Sequence, residues 1–215
     1  MSHPTVLLAD DHQILVEGLR GLLEPEFELL DTVEDGRALV RQALALKPDV
    51  IVADISMPLL NGIDAARQII KDAPTSRIIF LTMHSDVAYA TEAFRAGASG
   101  YVLKRSAAAE LVTAIREVLK GGAYVTPPIA KAMMRDSLFG RSPQTRNPSD
   151  ALTSRQREVL QLVAEGHSIK EIASILNLSP KTVEFHKYRV MEQLGIRTTA
   201  ELTQYAVKHG IVSPP

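Results

Sequence analysis

The chain is 215 residues long, 46% apolar and 23% charged, with no cysteine and a net charge of −1, enough for two domains that each bury a core. The lack of cysteine excludes a disulfide framework and thiolate chemistry, and no apolar stretch reaches the length of a membrane span. The opening Met1-Ser2-His3-Pro4 lacks the basic region and apolar core of a signal peptide, so the cytoplasm is the expected location, with no membrane partner.

Residues 1–121 alternate two patterns. Apolar runs near 5–9, 27–33, 49–54, 77–82 and 100–103 read as strands, separated by helix-period segments near 12–23, 36–46, 62–72, 86–96 and 106–120. Five such units predict an α/β fold, a doubly wound parallel sheet with helices on both faces. Gly62 begins the third helix and Ala73-Pro74 ends it. Gly97 falls just past the fourth helix, and Ser106 is placed to cap the fifth. This region carries 12 Lys+Arg against 17 Asp+Glu, which speaks against contact with nucleic acid.

Asp54 ends the apolar run Asp49-Val50-Ile51-Val52-Ala53 and opens a loop that bears Pro58 and Gly62. So apolar a run predicts a strand buried on both faces. Asp54 is then at the carboxyl end of a central strand, where open α/β sheets place ligands. Asp10-Asp11 closes the first run, Thr5-Val6-Leu7-Leu8-Ala9. If the two strands are neighbours, three carboxylates meet at one sheet edge and repel unless a cation sits among them. That suits a divalent cation and a phosphoryl group. Taken singly, each residue has a plainer reading: a strand-end Asp caps a helix, Lys104 is a solvated charge, Thr82 a strand residue and Tyr101 a core ring.

From Gly121 the texture changes. Gly121-Gly122 and Pro127-Pro128 interrupt the pattern, and Pro128 is placed to open a short helix over 129–134. Residues 140–149 are polar and nearly free of core residues, which predicts a linker spanning 122–149. Its Arg141 and Arg146 could touch phosphates, but solvated linker charges are the simpler reading. Residues 150–215 then read as purely helical. Thr153 with Gln156 forms a capping box and Gly166 closes that helix. Ser168 starts a second helix, and Asn177-Leu178 makes a tight turn. Ser179 caps, and Pro180 opens, a longer helix that reaches Leu194-Gly195. A last helix spans about Thr199 to Lys208. Two helices across a tight turn are a helix-turn-helix signal.

Asp10-Asp11, Asp54, Met57-Pro58 with Gly62, Thr82, and Tyr101 three before Lys104 together make residues 1–121 resemble the CheY-like receiver domain of two-component response regulators. The resemblance implies a five-stranded sheet of order 2-1-3-4-5 and a phosphoacceptor role for Asp54. A sensor histidine kinase would be the donor. Mg²⁺ would be held by Asp11, Asp54 and the backbone carbonyl of Ser56, with Asp10 orienting a metal-bound water. Lys104 would give a point charge, and Thr82 a hydroxyl, to phosphoryl oxygens. Thr82 moving toward the phosphoryl group would make room for Tyr101 to turn as a switch. His84 reads as a surface residue that tunes phosphoryl lifetime. Catalysis is limited to slow self-dephosphorylation, so the chain is not expected to be an enzyme.

Residues 150–215 resemble the LuxR-type helix-turn-helix, and the domain order is that of NarL-type regulators. Leu152-Thr153, Gly166, Lys170-Glu171-Ile172-Ala173, Lys181-Thr182-Val183 and Leu194-Gly195 are among the residues that carry the likeness. The helix from Pro180 to Leu194 is then the recognition helix, with Val183, Val190, Met191 and Leu194 facing the core. Lys170, Lys181, Thr182, Lys187 and Arg189 are candidates for phosphate contact. Glu184, Phe185 and Tyr188 are candidates for base edges. Glu184 departs from the family, where Lys is common at that position. Glu184 could also simply pair with Lys181, Lys187 or Tyr188, and Phe185 could be core. The last helix, with Ala200, Leu202, Tyr205, Ala206 and Val207, is implied as a dimer contact when the protein is phosphorylated. Promoter DNA, a homodimer partner and RNA polymerase complete the expected partners.

Two rival readings stand beside this one, an enzyme and an interaction-only protein. An aspartyl-phosphate phosphatase would carry a second Asp two residues after the nucleophile, where this chain has Ser56. An interaction-only protein would retain no DNA.

Overall fold

A computed structural model of the chain describes residues 3–138 and 152–212. The linker stretch 140–149, with Arg141 and Arg146, lies outside the described residues. The chain divides into two compact units.

The first unit runs β1 (Thr5–Ala9), α1 (Gln13–Leu23), β2 (Glu28–Val33), α2 (Gly36–Leu46), β3 (Val50–Ala53) and α3 (Gly62–Asp72). It continues with β4 (Arg77–Thr82), α4 (Val87–Arg95), β5 (Gly100–Leu103), α5 (Ala107–Leu119), β6 (Tyr124–Val125) and α6 (Pro127–Leu138). The strands form one parallel sheet of order β2-β1-β3-β4-β5-β6. Val50–Ala53 and Val6–Ala9 are buried throughout, as strands covered by helices on both faces must be. On one face Val6, Leu8, Val50, Val52, Ile79 and Val102 pack with Leu19 of α1 and Leu111 and Ile115 of α5.

The register sets the site. Ala9 pairs with Ala53, and the Asp54 backbone N–H donates to the Ala9 carbonyl at 2.8 Å, so Asp10 and Asp54 leave adjacent strands at the same level. Gly62 begins α3 where the chain passes so close to Asp54 that a Cβ would be driven into the Asp54 carbonyl oxygen. Glycine is required there by close approach rather than by turn conformation.

The sheet has the expected order 2-1-3-4-5 and carries a short sixth strand at its edge, where Tyr124 and Val125 add beside Gly100 and Tyr101. Three expectations are corrected. The segment expected as linker from residue 122 therefore continues the first unit, and its helix spans 127–138 rather than 129–134. Buried Thr126 holds this addition: its Oγ1 accepts from the Leu103 N–H at 3.1 Å and donates to Glu110 Oε2 at 2.7 Å. Ser106 does not cap α5. A 3₁₀ turn over Lys104–Ser106 leads into the helix, so the Ala107 N–H bonds back to the Lys104 carbonyl and the serine side chain makes no cap bond.

The second unit is α7 (Ser154–Ala164), α8 (Ile169–Leu176), α9 (Pro180–Leu194) and α10 (Thr199–Lys208). Its punctuation follows the sequence. Thr153–Gln156, Ser168–Glu171 and Thr198–Glu201 form complete capping boxes. Ser179 accepts from the Thr182 N–H with Pro180 at the helix start. Asn177 takes a left-handed conformation (φ 53°), which lets α9 turn off α8 within three residues. Val159 and Val163 of α7, Ile172 and Leu176 of α8, Val183 and Val190 of α9, and Leu202 and Ala206 of α10 form the core.

Candidate functional site

At the carboxyl edge of the sheet, Asp10 and Asp54 are 1% and 3% exposed. Lys104 follows β5, and its Nζ lies 2.8 Å from Asp54 Oδ2 and 2.8 Å from Asp10 Oδ2. The first contact is a hydrogen bond. The second is an ion pair without hydrogen-bond alignment, which leaves Asp10 Oδ2 buried with its acceptor capacity unused. Asp54 Oδ1 accepts from the Ile55 N–H at 2.6 Å, and Asp10 Oδ1 from the His12 N–H at 3.0 Å.

Two buried carboxylates thus share the Lys104 ammonium. Burial raises the Asp54 carboxyl above its ordinary value even though Lys104 opposes the shift. Burial pulls Lys104 the other way, but Asp54 and Asp10 together outweigh it and hold the ammonium above its ordinary value. The two partners therefore move in the same direction. Lys104 stays charged while the two carboxylates compete for it.

Asp10, Asp11, His12 and Asp54 present atoms that all lie within 4.8 Å of one another. The three carboxylates are hard oxygen donors with surplus negative charge, which fits a cation such as Mg²⁺. His12 was not foreseen. Its Nδ1 lies 2.8 Å from Asp11 Oδ1 and 3.0 Å from Asp10 Oδ1, so it ties the acidic pair together. The sequence signal was only its adjacency to Asp10-Asp11. Ser56 sits beside the pocket, and its Oγ is 2.9 Å from His84 Nε2.

His84 is half-buried rather than a free surface residue. Its ring stacks on Tyr89, with centroids 4.2 Å apart. Its backbone N–H donates to Thr82 Oγ1 at 3.2 Å, and its carbonyl accepts from the Tyr101 hydroxyl at 2.8 Å. Burial lowers the imidazole's proton affinity, against the pull of Asp54. Thr82 and Tyr101 are both fully buried. The expected switch pair is thus joined through one residue, with Thr82 engaged on the amide of His84 and Tyr101 on its carbonyl.

In the second unit, α9 exposes Lys181, Glu184, Phe185, Tyr188 and Arg189. Phe185 is 55% exposed, so it is not core. Thr182 is drawn into the cap, with its Oγ1 2.8 Å from Ser179 Oγ. Lys187 Nζ donates to Thr199 Oγ1 at 2.9 Å, which ties α9 to α10. Lys170 is exposed on α8. Among the described residues no helix is long and apolar enough to cross a membrane.

Comparison with known proteins agrees with this architecture. Residues 6–116 match the response regulator receiver domain, and residues 150–206 match the luxR family of bacterial regulatory proteins. The regulatory protein MctR of Rhizobium johnstonii is 38% identical, covering 97% of this chain and 95% of its own. DegU of Brevibacillus brevis is 34% identical, covering 96% of this chain and 94% of its own. The RcsB response regulator of Salmonella typhimurium superposes with a TM-score of 0.64 at 29% identity, covering 97% and 98% of the two chains. RcsB bound to the promoter P1flhDC with phosphomimetic BeF3⁻ gives 0.59 at 30% identity, covering 95% and 98%. The chain belongs to the two-component response regulators that join a receiver domain to a LuxR-type helix-turn-helix.

Proposed function

We propose that Asp54 accepts a phosphoryl group from the phosphohistidine of a sensor histidine kinase, and that the phosphorylated chain dimerises and binds promoter DNA to regulate transcription. The observation that carries this reading is the bridge of Lys104 Nζ to Asp54 Oδ2 and Asp10 Oδ2 in a buried acidic pocket. In the transfer, an Asp54 oxygen forms the new O–P bond while the donor's N–P bond breaks. The imidazole keeps that electron pair and takes up a proton. Asp11 and Asp54 would hold Mg²⁺, with the Ser56 carbonyl as a further ligand and Asp10 orienting a metal-bound water, and the ion would screen the repulsion between anionic nucleophile and anionic donor. Lys104 supplies a fixed positive charge to a phosphoryl oxygen, and Thr82 a hydroxyl once it leaves the amide of His84.

The phosphoryl group carries about −1.5 to −2 charges in place of the single charge of the Asp54 carboxylate, and it sets three acceptors at the sheet edge. Tyr101 responds through His84, which both side chains touch. Hydrolysis of the acyl phosphate is slow, and the chain is a switch rather than a turnover enzyme. Such a switch works in the cytoplasm, where kinase, promoter and RNA polymerase meet.

RcsB, a relative of this architecture, is described as bound to promoter DNA and as dimers on DNA, which supports the same role for α9 here. Phosphate contacts come from Lys170, Lys181, Thr182, Lys187 and Arg189, and α10 supplies the dimer contact through Tyr205 and Val207. Light scattering with Mg²⁺ and beryllofluoride tests the switch. The wild-type mass should double while Asp54→Asn stays unchanged. Equal responses from both proteins would remove Asp54 from the mechanism.

A further inference from the structure

Helix α9 has one side the fold covers, at Val183 and Val190, and one it does not. Lys181, Phe185 and Tyr188 follow one another at i, i+4 and i+7, along a line opposite the two valines. Phe185 is 55% and Tyr188 65% exposed. Two large rings set in line on a charged helix make an apolar stripe that no other helix among the described residues covers. The stripe is also ordered. The Arg189 guanidinium lies over the Phe185 ring, 5.5 Å from its centroid, and His186 meets the ring edge-on at 5.7 Å. Arg189 is itself anchored to Glu192 at 2.9 Å.

Glu184 flanks this stripe in a different condition. Among the described residues no hydrogen bond or ion pair holds its carboxylate, although Lys181, Lys187 and Arg189 share the helix. A carboxylate brought to a duplex is repelled by the phosphates, so it is tolerated only where it meets a donor. In the major groove, adenine sets its amino donor beside the N7 acceptor, which disfavours a carboxylate. Cytosine offers its amino group as a donor alone. The one apolar group in that groove is the thymine methyl.

We propose that Phe185 and Glu184 determine the operator sequence. Phe185 contacts a thymine methyl and Glu184 accepts from a cytosine amino group, so that each half-site carries a thymine and a cytosine in neighbouring base pairs. His186 is a positioning residue that holds the Phe185 ring, and Arg189 helps to hold it beside its own phosphate contact. The inference rests on the DNA-binding reading of α9 proposed above.

The test uses the full chain with Mg²⁺ and beryllofluoride to select duplexes from a random pool. Affinities are then measured on the selected duplex with deoxyuridine replacing each thymidine in turn. Wild type should weaken about fourfold at one thymine per half-site, the worth of one buried methyl. Phe185→Ala should show no such step there, and Phe185→Leu should retain part of it. Glu184→Gln should lose about tenfold preference for one C·G pair and move toward adenine, which a glutamine amide matches. Exposure of both side chains means that the variants should keep the wild-type far-UV circular dichroism. If Phe185→Ala keeps the wild-type methyl step, or Glu184→Gln keeps the wild-type base preference, the assignment is wrong while DNA binding stands. If wild type recovers no duplex at all, the DNA-binding reading falls and this assignment falls with it.

Discussion

Lys104 decides the charge balance of the acidic pocket. It is the single ammonium between two carboxylates that are almost wholly buried. Removing one member of a buried ionic group leaves the others uncompensated, at a cost of about 3 kcal/mol or more. Lys104→Met is therefore expected to lower unfolding free energy by about that amount in metal-free buffer, and added Mg²⁺ should recover part of the loss. Urea denaturation with and without Mg²⁺ checks both statements. Gly62 acts on the same pocket through shape. In Gly62→Ala the new methyl can be accommodated only by moving the Asp54 backbone, an overpacking cost of about 1–3 kcal/mol. Thermal unfolding should show the loss, and beryllofluoride binding should weaken beyond what stability explains. The acidic trio was legible because each carboxylate ends an apolar run. Gly62 could be read only as a helix start, because its nearness to Asp54 arises from the loop path.

Among the elements, β6 shows what local pattern misses. A two-residue strand has no period to detect, and the flanking Gly121-Gly122 and Pro127-Pro128 resemble an exit from the domain. The strand exists because the sheet edge beside β5 offers unpaired groups. Tyr124 donates to the Ser99 carbonyl at 3.1 Å and Thr126 to the Tyr101 carbonyl at 2.9 Å. Thr126→Val keeps the shape but orphans the Leu103 N–H and one Glu110 oxygen, with an expected loss of about 1–3 kcal/mol. Amide exchange should quicken first at 124–125. The helical unit behaves oppositely, since its caps were readable by residue type. Glu201 is held below its ordinary value of 4.5 by the backbone N–H groups of Arg197 and Thr198, and Glu171 likewise by that of Ser168. A lowered folded value means the cap stabilises fully above pH 4.5 and is lost as pH falls through the folded value. Urea midpoints between about pH 3 and 6 should therefore drop less in Glu201→Gln than in wild type.

For the whole molecule, net charge is a poor guide to DNA binding. Residues 150–215 carry 8 Lys+Arg against 7 Asp+Glu. Affinity has to come from placement and from duplication. With about four cationic phosphate contacts per protomer, a bound dimer should show a log K against log salt slope of about −7. Lys181→Ala should make that slope shallower by about 2, because each substitution counts once per protomer. A slope near half that value in wild type would mean that a single protomer binds. Salt titration of fluorescence anisotropy measures both.

The sequence by itself determined the parallel α/β unit, the helical unit with its caps, and the three strand-end carboxylates. Each is written in local signals, namely period, turn residues and apolar runs closed by Asp. Tertiary structure decided what depends on residues far apart in the chain. The sheet brought Lys104 between Asp10 and Asp54. The turn after β4 set His84 between Thr82 and Tyr101, and Thr126 joined a sixth strand to the edge. Packing of Val183 and Val190 into the helical core turned Phe185 and Tyr188 outward. Local energies of a few tenths of a kcal/mol per residue select helix or strand. Burial and hydrogen bonding between distant segments, worth about 1 kcal/mol or more each, decide which side chains meet.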